Sequence, residues 1–293
     1  MVSIGARLPD GWQRRVDPAW LEGWAPRRFD LDGGTTEIVT MGEGPALVLL
    51  PPLPGFKESF VAVARLLARD FRVVTFDLRA RFDGRPTWAA LLHDFDRIAA
   101  ALAPGPFLLA GHSLGGALAQ QWALARPERV SGLVLSSSFA RVTTPPGHWA
   151  KRYVEQPLVL ASQRLLPDAL ARRLARSFAK RGAWVYDARC DDRVLDFVRF
   201  GIRTLPLGLA RQSVALALEH DTRASLGRWS GPTLLVVGER ETLWARESVA
   251  ELARLIPHAE QRVSPGVAHL HPLSSPEWLA ETVRAWGNPG QGH

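Results

Sequence analysis

The chain has 293 residues, 46% hydrophobic and 22% charged. This mixture excludes disordered, fibrous and disulfide-scaffold proteins, and the length leaves room for one large domain with an insertion. The single cysteine, Cys190, excludes an internal disulfide and a cysteine-built metal site. No stretch approaches the ~20 uncharged apolar residues of a membrane span. The opening MVSIGARLPDGWQRR lacks the charged-then-apolar order of a secretory signal, so the expected location is cytoplasmic.

Lysine and arginine total 36 against 29 acids, a net charge of +7. The excess is local, because residues 139–230 hold 16 basic and 8 acidic side chains. Only Lys57, Lys151 and Lys180 are lysines. No nucleic-acid-binding motif accompanies the charge, so nucleic acid is not an expected partner.

The first 30 residues, with Trp12, Trp20 and Trp24 among prolines and arginines, read as an irregular arm whose tryptophans pack on the domain. Thereafter short aliphatic or β-branched runs alternate with longer helical patterns, the signature of parallel βαβ units. In chain order the pattern predicts strands at 36–40 and 46–50, a helix at 59–69, and a strand at 72–76. A helix at 88–102, a strand at 107–110, a helix at 114–125 and a strand at 132–135 follow. The last part holds strands at 233–237 and 260–263 and helices at 249–255 and 276–286. The spacing of Leu91, Phe95, Ile98 and Leu102 illustrates the buried helical face. The expected fold is α/β, with a mostly parallel, doubly wound sheet.

Residues 139–230 break this rhythm. Leu, Ala and Arg recur at helical spacing, with breaks at Pro157, Pro167, Pro206 and Gly208. Leu165, Leu166, Leu170 and Leu174 suggest one apolar stripe, and Val194, Phe197, Val198 and Ile202 another. The division is therefore a core of residues 1–138 and 231–293 and a helical cap at 139–230. Trp149, Tyr153, Phe178, Trp184, Phe197 and Phe200 are its candidates for an apolar acyl pocket. Gly287–His293 is a Gly/Pro-rich tail.

Gly111-His112-Ser113-Leu114-Gly115-Gly116 follows a clean strand and opens an amphipathic helix. A serine on so sharp a strand-to-helix turn has strained backbone angles, and the flanking glycines let neighbouring chains approach. Its hydroxyl then stands above the sheet at the positive end of a helix. Together with Arg126-Pro127-Glu128-Arg129-Val130 leading into Gly132-Leu133-Val134-Leu135, this run resembles the α/β-hydrolase superfamily over about residues 35–140 and 230–286.

That resemblance implies an eight-stranded sheet, a cap inserted after the sixth strand, and a catalytic triad in the order serine, acid, histidine. It makes Ser113 the nucleophile and the amides of Leu53 and Leu114 the oxyanion hole. Leu53 is the early donor available in Pro51-Pro52-Leu53-Pro54-Gly55, because prolines carry no N–H. Pro265-Gly266-Val267-Ala268-His269 matches the loop that carries the base, so His269 is assigned that role, with His271 as its rival. Gly238-Glu239-Arg240-Glu241 puts Glu241 at the acid position, with Glu239, or no carboxylate at all, as the alternatives.

The implied activity is serine hydrolysis of a carboxylic ester or related small acyl substrate through an acyl-enzyme, without a metal or organic cofactor. Serine at the elbow argues against the carboxylate nucleophile of dehalogenases and epoxide hydrolases. The other reading is non-catalytic. Leu50-Pro51-Pro52 in place of His-Gly, with Leu135-Ser136-Ser137-Ser138-Phe139, resembles maspardin-like binding proteins on the same fold. The histidine at 269 favours the enzyme.

Overall fold

The computed structural model describes residues 3–287 except 5–7, 9, 79–86, 145, 148 and 181–191. Cys190 and Trp184 therefore lie outside the described residues. The strands are β1 (Ser3–Ile4), β2 (Arg27–Leu31), β3 (Gly34–Met41), β4 (Ala46–Leu50), β5 (Arg72–Phe76), β6 (Phe107–His112), β7 (Val130–Ser136), β8 (Thr233–Gly238) and β9 (Glu260–Ser264). The helices are α1 (Val61–Leu67), α2 (Trp88–Leu102), α3 (Leu114–Ala125), α4 (Gln156–Leu165), α5 (Asp168–Lys180) and α6 (Asp192–Thr204). They continue with α7 (Leu207–Glu219), α8 (Arg223–Leu226), α9 (Leu243–Leu255), α10 (His271–Ser274) and α11 (Pro276–Gly287).

The strands form one sheet in the order β1-β3-β5-β4-β6-β7-β8-β9, with β2 paired to β3. From β5 to β9 every neighbouring pair is parallel, while β2–β3 and β3–β5 are antiparallel. Helices cover both faces, which is why the central strands carry aliphatic side chains toward both. In β4, Leu47 and Leu49 join the core under α1 and α11, and Val48 and Leu50 the core under α2, α3 and α9. Helices α4 to α8 occupy the chain between β7 and β8. That is the sixth strand once the two-residue β1 is set aside.

The N-terminal arm is more regular than its composition suggests. Arg27–Leu31 runs antiparallel to β3, with Phe29 opposite Thr36. Strong alternation is missing there because β2 lies off the main path of the sheet and buries only Leu31. Trp12 and Trp24 are buried and Trp20 packs beside them. The Trp12 ring meets Phe197 of α6 edge-on at 6.1 Å, tying the arm to the helical insertion.

Two expectations for the insertion need correction. Leu165 and Leu170 face solvent, and α5 buries Ala171 and Ala175 instead. Pro167 ends one helix before the next begins, so leucines on either side of it share no face. The predicted aromatic set does not gather either. Trp149 and Tyr153 are exposed, Phe197 packs on Trp12, and Phe200 lies 4.4 Å beneath the Arg15 guanidinium. The side chain of Phe178 is outside the described part. Val194 and Phe197 do form a buried stripe, with Val198 and Ile202 packed against it.

Among the described residues no helix is long and apolar enough to cross a membrane.

Candidate active site

Ser113 joins β6 to α3 with φ 53° and ψ −116°. The strained turn needs the glycines around it. A Cβ on Gly111 would sit 2.3 Å from the Gly115 carbonyl oxygen, and one on Gly115 would sit 2.0 Å from that of Leu50. The Ser113 N–H donates to Ser136 O at 2.8 Å. Its side chain is half-buried at the start of α3, where unpaired N–H groups and the helix dipole favour negative charge. Leu114, the first residue of α3, supplies one of those N–H groups.

Glu241 lies between β8 and α9, and His269 between β9 and α10. Both are buried, and His269 Nδ1–H donates to Glu241 Oε2 at 3.0 Å. The loops meet because residue 238 is glycine: a Cβ there would sit 2.6 Å from the carbonyl oxygens of both Val267 and Ala268. The Ser137 hydroxyl also donates to Oε2, at 2.8 Å, and the Thr242 N–H donates to Oε1 at 3.1 Å. Burial pushes the Glu241 carboxyl up, but the His269 ring and the Ser137 hydroxyl outweigh it and hold the group below its ordinary range. The carboxylate uses Nδ1 of His269, so Nε2, at the other edge of the ring, is the nitrogen left for a second partner.

The rival residues have other partners. The Glu239 carboxylate accepts from Gly266 N–H at 2.6 Å and so closes the loop that leads to His269. His271 Nδ1 lies 3.3 Å from Ala268 O and must donate to it, leaving Nε2 to accept from the Ser136 hydroxyl. Ser136 Oγ in turn accepts from His112 Nδ1–H at 2.9 Å. This neutral strut joins the elbow to the loop that carries His269. It also sets the His112 ring 4.9 Å from that of His269.

Sequence reasoning missed the three serines at the end of β7. Ser136 holds both spectator histidines, Ser137 holds Glu241, and the Ser138 hydroxyl donates to Ser113 O at 3.0 Å. The only signal was the polar run itself, directly after an apolar strand.

The loop of Leu53 is pinned independently. Lys57 is fully buried, and its ammonium donates to Glu58 at 2.7 Å, Asp77 at 2.9 Å and Glu37 at 3.0 Å. Burial lowers the basicity of this lysine, but Asp77 and Glu58 more than reverse that and keep it charged. Its own N–H also binds Asp77, and Gly55 N–H closes the turn on Pro52 O at 2.6 Å. Leu53 packs with Trp88 and Val142 against Leu114, Ala117, Phe139 and Ala217. An apolar wall thus joins this loop, the elbow and α7. No group of three or more His, Cys, Asp or Glu among the described residues could hold a metal ion.

Burial keeps His112, His271 and also His220, at the end of α7 beside Gln121, uncharged. It lowers His220 and His271 to about 4 and His112 in the same direction. The unfolded chain takes up these protons near pH 6.5, the folded one only near 4, so below pH 6.5 the unfolded state binds more protons and stability falls. At pH 5, His220 and His271 each contribute a loss of about 2 kcal/mol. The urea midpoint should accordingly be lower at pH 5 than at pH 7; equal midpoints would refute this account.

Residues 45–276 match the family model described as alpha/beta hydrolase fold. The chain is 32% identical over 244 residues to a pimeloyl-[acyl-carrier protein] methyl ester esterase of Chromobacterium violaceum, covering 81% of this chain and 92% of the relative. It is 27% identical over 251 residues to the mouse sn-1-specific diacylglycerol lipase ABHD11, covering 83% and 80%. The crystal structure of a hydrolase from Pseudomonas aeruginosa superposes with a TM-score of 0.68 at 26% identity, covering 89% of this chain and 97% of that one. Elbow, sheet order and these likenesses agree: the chain belongs to the alpha/beta hydrolase fold family.

Proposed function

We propose that the protein is a serine hydrolase that cleaves a carboxylic ester of an acyl chain through an acyl-enzyme. The observation that carries this reading is the buried hydrogen bond from His269 to Glu241, with the His269 ring 4.9 Å from that of His112, the residue that precedes the serine of the strained elbow. In this mechanism Nε2 of His269 takes the proton of Ser113 as its oxygen attacks the ester carbonyl. Glu241 holds the ring in the tautomer that leaves Nε2 free to accept, and stabilises the imidazolium. The amides of Leu53 and Leu114 bind the oxyanion; each such donor is typically worth about 3 to 4 kcal/mol in the transition state. The alcohol leaves with the proton from His269, which then activates water to release the acid.

The relatives named as a methyl ester esterase and a diacylglycerol lipase support an ester substrate. The apolar wall at Leu53, Leu114 and Phe139 supports an acyl group beside the elbow. In this reading residues 139–230 form a cap over the site and choose the substrate. A small acyl substrate is the proposed partner. The intact acid–base pair speaks against the maspardin-like binding protein, which has no need of it.

A fluorophosphonate should label the wild type and not Ser113→Ala, and p-nitrophenyl esters of graded chain length should be turned over with a preference that reports the pocket depth. Absence of both labelling and turnover would refute the enzyme and favour the binding protein.

A further inference from the structure

Ser137 combines two features that a purely structural residue at the end of a strand does not need. Its φ is +41°, in the left-handed region that favours glycine, and its hydroxyl is spent on a buried carboxylate 104 positions away in the chain. The turn is held by its N–H, which donates to Val236 O at 2.8 Å. A glycine would adopt this backbone without strain but would bring no hydroxyl. Strain retained beside reacting groups is evidence that the side chain is used.

What the hydroxyl does follows from the atom it chooses. Glu241 Oε2 accepts from both Ser137 Oγ and His269 Nδ1, while Oε1 accepts from the Thr242 N–H. Three donors thus fix both oxygens of a side chain that has one more rotatable bond than aspartate. We infer that Ser137 is a positioning residue that sets the orientation and charge distribution of the Glu241 carboxylate, and through it the basicity of His269. This rests on reading Glu241 and His269 as the acid and base of the site.

The second donor draws negative charge away from the bond to His269. Without it Oε2 has the imidazole as its only donor, the carboxylate stabilises the imidazolium more strongly, and the histidine becomes more basic. The carboxylate also gains freedom to rotate and carry the ring with it. The titratable groups facing this pair are few. His271 stays neutral and His112 lies against the His269 ring, both held by Ser136. Glu239, in the same loop, turns its carboxylate to Gly266 N–H.

The test uses the full chain with Ser137→Ala, which keeps the Cβ and its strain, and Ser137→Gly, which relieves the strain. The His269 imidazole is titrated by NMR, and kcat and KM on an activated ester are measured across pH. Both variants should raise the His269 pKa by on the order of one unit. Both should also lower kcat roughly tenfold, with KM changed less than about twofold. An unmoved His269 pKa in the folded variants overturns the inference, as does a glycine variant with wild-type kcat, which would make the backbone alone responsible. The titration reads the pair whether or not turnover occurs. An inactive, unlabelled wild type therefore refutes the catalytic reading, while the pKa shift still decides the role of Ser137.

Discussion

Ser113→Ala and His269→Ala should each lower kcat toward an activated ester by on the order of 10⁶, and the double variant should lose hardly more than either alone. The proposed serine and base act as one unit. An alcohol without a base to take its proton is a poor nucleophile, and a base with no alcohol beside it has nothing to activate. The loss corresponds to about 8 kcal/mol of transition-state stabilisation. Residual rate should remain, because the Leu53 and Leu114 amides and the apolar wall stay in place. Ser113→Ala should not fall appreciably in stability. Ser113 is half-buried and its backbone, not its hydroxyl, makes the bonds to Ser136 and Ser138. His269 is buried, so its loss should show in a urea midpoint, which must be measured beside kcat. A fall in kcat of less than about tenfold in either folded variant would remove that residue from the mechanism.

Glu241→Gln should cost less, about 10³- to 10⁴-fold in kcat, with KM little changed. Glutamine keeps the length and shape of the side chain, and its carbonyl, at the Oε1 position, can still accept from the Thr242 N–H. Its amide, if turned toward His269, donates to Nδ1 and places the ring proton on Nε2, where it faces the nucleophile instead of accepting from it. The loss is thus of the tautomer and of the charge that supports the imidazolium. Kinetics with the same ester as for Ser113→Ala check this. An unchanged rate would leave His269 without an acid partner in the mechanism and reduce Glu241 to a buried structural carboxylate.

Much of this architecture is legible in the sequence. The strands at 46–50 and 72–76 and the helices at 88–102 and 114–125 coincide with β4, β5, α2 and α3 residue for residue. Buried parallel strands carry uninterrupted aliphatic runs, and a helix with one buried face repeats every 3.6 residues, so both are written locally. The elbow was legible for the same reason. Its requirements for glycine at 111 and 115 arise from clashes within a few residues and one neighbouring strand. The helical insertion was harder, because Leu and Arg at helical spacing do not say which face will be covered. Alanines at 171 and 175, too short to register as a stripe, turned out to be the buried positions of α5.

Local sequence encodes the alternating α/β order, the turn that carries Ser113, and a short set of candidates for acid and base. Which partner each candidate bonds is visible only in the tertiary structure. His269 takes the carboxylate while His271 takes Ser136, and Glu241 reaches the imidazole while Glu239 closes a loop. The tertiary structure alone also placed Ser136, the last residue of β7, and the two serines after it under three different parts of the site. The division has a physical cause. Backbone conformation is governed by sterics and hydrogen bonds between near neighbours, whereas a buried polar side chain takes whichever partner the strand order brings within 3 Å. That order is set by burial of the whole sheet, to which the polar residues themselves contribute almost nothing.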